Sequence, residues 1–335
     1  MKKRMKRRPQ VAVVLVIILA VYFSLNSKSS EKVSYPKVQK KYPSVLNFGD
    51  VMFDRGVRNI IENRGRDPFE YIKQDKEVMR GYDVVIANLE GPIIEMDRKR
   101  CQQKAYNFQF AYNTPKLLQS VGITMVNIAN NHAFDCYTKG FESTKTYLTT
   151  AGIDYIGDTN MEKSFVVKNI DGKKVAFIGM DETVQAVPLS GFYPIVKKLD
   201  AENDYVVVHI HWGTEYSLVA TGVQKNIAHK LIDNGADVVI GHHPHVIEPV
   251  EIYKGKAIFY SLGNFVFDQT DPVTKDGLGV GLSFEDTKTV FALYPYHLDA
   301  FAPKFLESKE RESFCEKYLK ILTHTGCSFE VQNTQ

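Results

Sequence analysis

The sequence predicts an α/β protein, on three observations. Apolar, β-branched segments alternate with helix-patterned ones, short turn signals add hairpins, and nearly every apolar segment ends at a polar side chain able to bind a ligand. The 335 residues suffice for a substantial core, and 44% hydrophobic with 24% charged residues is an ordinary globular balance.

The chain begins with Lys2, Lys3, Arg4, Lys6, Arg7 and Arg8, followed by an apolar run from Val11 to Phe23. A basic flank before such a run fits a short membrane anchor or a signal-peptide core, and the basic side stays cytoplasmic. No clean A-x-A-like cleavage pattern lies between Tyr22 and Ser30, so an uncleaved anchor is the expectation and a cleaved leader the alternative. The resulting organisation is a cytoplasmic tail at 1–10, a transmembrane anchor at 11–25, a polar tether at 26–43 and one domain at 44–335, outside the cytoplasmic membrane. Seven of the 42 Lys and Arg residues, and none of the 39 Asp and Glu, lie in 1–30. Removing them leaves 35 bases against 39 acids, so the domain is mildly acidic, and nothing in that balance suggests the clustered basic surface of a nucleic-acid binder.

Within the domain, strands are expected at 45–48, 83–87, 123–128 and 153–156, with helices at 114–121 (Pro115 in its first turn) and 138–150 (Gly152 beyond its end). Asp171-Gly172 marks a hairpin between 164–170 and 173–179. The alternation resumes with a strand at 205–210, a helix at 223–234 and strands at 236–240, 250–253 and 257–261. A second hairpin is expected from 278–284 and 289–296, and an amphipathic helix from 309 to 322. Such alternation predicts a largely parallel sheet, whose functional groups gather beyond the carboxyl ends of the strands.

The polar residues after the strands share a common chemistry. Asp50 follows the first and Glu90 the second; Asn131 and His132 follow the third. His209 and His211 end a later strand with Glu215 close by, and His242, His243 and His245 follow the next. Six of the nine histidines thus sit at three strand ends; His229, His297 and His324 do not. Imidazoles, carboxylates and an amide converging on one crevice suit one or two divalent cations, with Zn, Mn and Fe the plausible ions. Gly49-Asp50 and Asn130-Asn131-His132 also read as turns or caps, and Glu90 as a partner of Arg98 or Arg100. His209 and His211 share one strand face, so one direct ligand and one core histidine are expected. Three histidines in four positions, 242–245, have no comparable packing explanation. Trp212 reads as packing. The turn Ser261-Leu262-Gly263-Asn264 lines the crevice, and no Gly-x-Ser-x-Gly elbow surrounds its serine.

Four cysteines, Cys101, Cys136, Cys315 and Cys327, allow three pairings, including a Cys315–Cys327 staple on the last helix; buried free thiols are the alternative. No CxxC spacing points to a thiolate zinc site.

In order along the chain stand Phe48-Gly49-Asp50-Val51-Met52, Ala87-Asn88-Leu89-Glu90-Gly91-Pro92, Ala129-Asn130-Asn131-His132, His209-Ile210-His211-Trp212-Gly213-Thr214-Glu215-Tyr216, Gly241-His242-His243-Pro244-His245 and Tyr260-Ser261-Leu262-Gly263-Asn264-Phe265. Together they resemble the CapA/PgsA family, associated with synthesis or export of the poly-γ-glutamate capsule. The resemblance implies a metallophosphoesterase-like, calcineurin-type fold, a β-sandwich flanked by helices. It also implies membrane-bound work beside a poly-γ-glutamate synthase and its nascent polymer. Ordinary metallophosphoesterases begin with Asp-x-His, whereas Asp50-Val51-Met52 lacks that histidine. Glu90 stands where they carry the Asp of Gly-Asp, Asn130-Asn131-His132 replaces Gly-Asn-His, and His243-Pro244-His245 maps onto Gly-His-x-His with His242 extra.

Two functions follow from this. The first is a capsule-assembly factor in which a cation bridges polymer carboxylates. The second is a metal-dependent phosphoesterase or amide hydrolase. In it Asp50, Glu90, Asn131, His211, His243 and His245 hold metal, His132 is the general acid, and His209, Glu215, His242 and Asn264 line the site. A surface-binding module with a vestigial site is a third alternative.

Overall fold

A computed structural model describes residues 41–184, 189–319 and 324–333. The expected tail, anchor and most of the tether lie outside the described residues. Among the described ones, no helix is long and apolar enough to cross a membrane.

The strands, in chain order, are β1 (Ser44–Val51), β2 (Val84–Leu89), β3 (Met125–Asn127), β4 (Asp154–Ile156), β5 (Phe165–Ile170), β6 (Lys173–Asp181), β7 (Tyr205–His211), β8 (Val238–His242), β9 (Val250–Tyr253), β10 (Lys256–Phe259), β11 (Asn264–Val266), β12 (Asp276–Phe284), β13 (Lys288–Asp299), β14 (Ala302–Phe305), β15 (His324–Thr325) and β16 (Ser328–Gln332). Helices are α1 (Arg55–Glu62), α2 (Lys76–Arg80), α3 (Thr114–Ser120), α4 (Tyr137–Thr150), α5 (Phe192–Glu202), α6 (Gly222–Asp233) and α7 (Ser308–Tyr318).

They build two sheets. A ten-stranded sheet runs β15-β16-β13-β12-β1-β2-β3-β4, with β11 on β1 and β14 on β13; a six-stranded sheet runs β5-β6-β7-β8-β10-β9. The expected parallel character holds in the middle of each: β1 to β4 pair in parallel, as do β6, β7, β8 and β10. The expected hairpins supply antiparallel strands, and the β5–β6 turn has Asp171 and Gly172 both at positive φ, +50° and +82°, as a two-residue hairpin requires.

The alternation of side chains along each strand explains the layering. Ile86, Met125, Phe177, Val207, Ile240 and Phe259 fill one core cluster drawn from both sheets. Phe48, Val85 and Val126 face the other way, onto Leu118 of α3 and Phe141 and Leu148 of α4. Val206, Val208 and Ile210 of β7, with Trp212, pack against Val196 and Leu199 of α5 and Leu231 of α6. The chain is therefore a mixed α/β sandwich flanked by helices, the layering that the resemblance implied. Strand parity puts His209 and His211 on the Val207 side of β7, toward the other sheet.

Helices α1, α2 and α5 have no counterpart among the expected elements. α1 buries only Val57 and Ile60, too few apolar residues to show a period. The last helix is shorter than 309–322, spanning Ser308–Tyr318. The cysteines pair as Cys101–Cys136 and Cys315–Cys327, so none is free among the described residues; the second pair staples α7 as considered.

Candidate metal centre

The carboxyl ends of β1, β2, β3, β7 and β8 meet, and they bring the expected residues together. Gly49 lets this happen: a Cβ there would lie 1.8 Å from Gly263 O. The close approach lets Asp50 N donate to Gly263 O at 3.0 Å and fixes the direction of the Asp50 side chain. Asp50 is fully buried. Its Oδ1 accepts from Asn88 Nδ2 at 2.8 Å and its Oδ2 from the His243 backbone N–H at 3.2 Å, a bond that joins the two sheets. His242 Nδ1 is 3.6 Å from Asp50 Oδ1, and His245 Nδ1 is 3.3 Å from Oδ2. Burial alone would raise the Asp50 carboxyl, but His242 and His245 hold it well below the ordinary range.

Glu90 is the unusual member. It is fully buried, and neither carboxylate oxygen has a hydrogen-bond partner. Two imidazoles approach its Oε1, His245 Nε2 at 3.7 Å and His132 Nε2 at 3.8 Å. Burial pushes its carboxyl well above the ordinary range. One oxygen each of Asp50 and Glu90 and one nitrogen of His245 lie within 4.8 Å of one another. An orphaned buried carboxylate beside a second carboxylate and an imidazole is a donor set that fits a divalent cation.

Outer contacts decide which imidazole nitrogens are free. Asn264 Nδ2 donates to the backbone carbonyls of His245 and Thr274 and to the side-chain amide oxygen of Gln269, which leaves its own Oδ1 to accept from His245 Nδ1 at 2.9 Å. His245 therefore keeps its proton on Nδ1 and turns Nε2 toward Glu90, the arrangement of a ligating histidine. Burial would lower His245, yet Glu90 and Asp50 outweigh it and lift the imidazole to about 9.

Asn88, which the sequence did not single out, makes four side-chain contacts. Its Oδ1 accepts from Asn127 Nδ2 (3.0 Å) and Asn130 Nδ2 (3.3 Å); its Nδ2 faces Asp50 Oδ1 and His211 Nδ1, the latter at 3.3 Å. His211 Nε2 lies 3.1 Å from Asn131 Oδ1. His209 and His242 form a buried pair, Nδ1 to Nε2 at 3.1 Å, behind Asp50. Burial keeps His209 and His211 well below the usual imidazole range and pushes His243 down to about 4.

His132 stands at the edge of the centre, stacked on Phe108 at 4.0 Å, with Nδ1 2.7 Å from Asp135 Oδ2. Asp135, fully buried, was also missed; three residues beyond His132, it carries no motif of its own. Burial lowers His132 while Asp135 opposes the shift. A cleft of about 330 Å³, bordered by Tyr106, Phe108, His132, Glu215, Tyr216 and His245, opens onto this edge. Two residues of the 242–245 loop take positive φ, His243 at +98° and His245 at +58°. Such backbone costs of order 1–3 kcal/mol per residue and persists where surroundings impose it, often at functional sites.

Residues 44–269, which span every side chain of this centre, match the family model described as "Bacterial capsule synthesis protein PGA_cap". The chain is 31% identical over 296 residues to the PGA biosynthesis protein CapA of Bacillus subtilis (strain 168), covering 82% of this chain and 76% of that protein. It is likewise 31% identical over 332 residues to the capsule biosynthesis protein CapA of Bacillus anthracis, covering 90% and 80%. Among solved structures, a hypothetical protein from Thermus thermophilus aligns with a TM-score of 0.49 at 21% identity, over 76% of this chain and 99% of that one.

Proposed function

The chain belongs to the bacterial capsule synthesis protein PGA_cap family, and from that premise we propose that it supports poly-γ-glutamate capsule synthesis or export through a divalent-cation centre outside the cytoplasmic membrane. The observation that carries the centre is Glu90, whose two buried oxygens have no partner and face Asp50 and His245. Asp50, Glu90 and His245 would hold the cation, with Asn131, His211 and His243 as further ligands; Mn, Zn and Fe fit this oxygen and imidazole set. Bound there, the cation offsets the two carboxylates and offers positive charge to polymer carboxylates that an acidic domain would otherwise repel. Asn88, Asn264 and the His209–His242 pair orient the ligands from behind. The fold is read as metallophosphoesterase-like. The basic flank and apolar run support a single-pass anchor at 11–25, and two disulfides suit an oxidising compartment. Synthase subunits and the growing polymer are the partners this reading requires.

The test is allelic replacement in the source organism. Glu90→Gln, with protein level unchanged, is expected to abolish surface poly-γ-glutamate. Normal polymer in that strain, or in a deletion strain, sinks the proposal.

A second reading, a metal-dependent phosphoesterase or amide hydrolase, is favoured by the His132–Asp135 pair. Asp135 accepts the Nδ1–H and holds Nε2 toward Glu90 and the cleft, where a protonated imidazole would serve a leaving group. Turnover of a generic phosphodiester with added Mn, lost in His132→Ala, would support it; equal turnover in the variant would remove it.

A further inference from the structure

The cleft beside the centre holds one fixed positive charge. Among the described residues that border it, Arg55 is the one lysine or arginine, against Glu215, Asp268 and Asp271. Arg55 opens α1 at φ +47°, a region that non-glycine residues rarely enter. Its guanidinium carbon lies 5.0 Å from the ring centre of Phe108, 5.6 Å from that of Tyr106 and 5.8 Å from that of Phe267. Two of these rings also touch the centre. His132 stacks on Phe108 with ring centres 4.0 Å apart, and the His245 ring is 4.7 Å from Phe267. Arg55 thus stands one aromatic ring away from each of two site imidazoles.

The ion pair that Arg55 makes leaves its guanidinium short of acceptors. Among the described residues only Asp268 accepts from it, Nη2 donating to Oδ1. Asp268 Oδ2 is taken by Gly56 N at 2.8 Å, so the pair is not the two-bond fork of a matched arginine and carboxylate. Arg55 Nε is buried with no hydrogen-bond partner, a cost that a purely structural ion pair has no reason to carry. The side chain is nonetheless 31% exposed, against 11% for Asp268. A guanidinium that is always charged, flanked by aromatic rings and left with spare donors suits a planar anion such as a carboxylate.

We propose that Arg55 is a ligand-binding residue: it receives one carboxylate of an anionic chain in the cleft while the cation centre receives another. The inference rests on the reading of the centre as a cation site that meets polymer carboxylates, and it adds a contact that does not pass through the cation. A chain with a carboxylate on every unit reaches both groups, whereas a molecule with a single carboxylate engages one. The second carboxylate binds at the effective concentration that the first contact sets, so the pair of contacts selects a repeating polyacid. Asp268 competes with the ligand for the guanidinium, and the three rings hold the guanidinium in place.

The test measures binding of a fluorescent γ-linked glutamate oligomer to the full-length chain, purified in detergent with Mn present, by fluorescence anisotropy. The wild type is expected to bind it and to ignore the same oligomer with its side carboxylates amidated. Arg55→Gln is expected to weaken binding at least about tenfold, the scale of a hydrogen bond to a charged group, with bound Mn unchanged. Arg55→Lys, which keeps the charge and loses the planar fork, is expected to fall between the two. Asp268→Asn breaks the same ion pair but frees the guanidinium, and is expected to bind at least as tightly as the wild type. Wild-type affinity in Arg55→Gln overturns the inference, as does equal weakening in Arg55→Gln and Asp268→Asn, the mark of a structural staple, or equal affinity for the amidated oligomer. If Arg55→Gln binds normally while Glu90→Gln does not, the cation reading stands and only Arg55 falls; the reverse result keeps Arg55 and removes the cation. A wild type that does not bind the oligomer removes both. Near-ultraviolet circular dichroism verifies folding; should Arg55→Gln not fold, the comparison of Arg55→Lys with Asp268→Asn still decides.

Discussion

Without a cation, the centre should make the protein less stable as the pH rises from 7 to 9. In the unfolded chain at pH 8, Glu90 is ionised and His245 neutral, so the two bind no proton. In the folded chain, burial raises Glu90, and the Glu90 and Asp50 carboxylates lift His245 to about 9, so the cluster retains one. A group whose folded pKa lies above its unfolded one contributes stability that is complete below the unfolded value and is lost as the pH passes the folded value. Between an unfolded imidazole near 6.5 and a folded value of about 9, the loss from pH 7 to pH 9 is about 2 kcal/mol. Glu248, lifted by burial to about 7, adds a loss of the same sign at the lower end of this window. The buried His243, pushed down to about 4, acts with the opposite sign and only below the ordinary imidazole value, outside this window. For a domain of this size, about 2 kcal/mol corresponds to a fall in melting temperature of roughly 4 °C. Thermal melts in chelator at pH 7, 8 and 9 measure it. Saturating Mn should reverse the slope, because ligation uses the deprotonated groups and releases the shared proton. Melts that are flat or rise with pH in chelator would refute the retained proton, and with it the account of how Asp50, Glu90 and His245 interact.

Three further outcomes follow from single features. Closing the 35-residue span between Cys101 and Cys136 should contribute about 4 kcal/mol on the chain-entropy model, against about 3 for the 12-residue span of Cys315–Cys327. Denaturant unfolding of the paired Cys→Ser variants measures the difference, with the first pair expected to be the more costly. Gly49→Ala should destabilise by about 3 kcal/mol, since the new Cβ would meet Gly263 O at 1.8 Å and must part β1 from the 261–264 turn. Asn88→Leu removes the shared partner of Asp50, His211, Asn127 and Asn130 and should cost about 3 kcal/mol, read as a shift in the urea midpoint. In the same variant, cation affinity should fall.

The centre was more legible in the sequence than the scaffold that orients it, and strand geometry explains the difference. Asp50, Glu90, His211, His243 and His245 each follow an apolar run, and parallel strands deliver whatever follows them to the same edge. The pairing of β1 with β2 and of β7 with β8 then brings residues remote in sequence into one layer, so polarity at a strand's end was sufficient to find them. Asn88 and Asn127 are different. They lie within β2 and β3, where an asparagine reads as a strand-weakening residue, and only the register that pairs the two with each other shows that their amides bond. Asp135 is recognised only through the His132 ring it holds, whereas Glu215, expected to line the site, owes its place beside the histidine loop to the Tyr216–Pro244 bond that folds its turn back. These are contacts between segments, set by tertiary packing and absent from any local period. The same holds for the edges of the large sheet. β14 and β16 add to β13, a strand of 12 residues whose length, not its composition, admits both along the edge opposite β12, β16 at 288–292 and β14 at 296–299. A sequence pattern therefore locates groups that the backbone delivers to a common edge, while the hydrogen bonds that fix their tautomers and directions depend on which strands are neighbours.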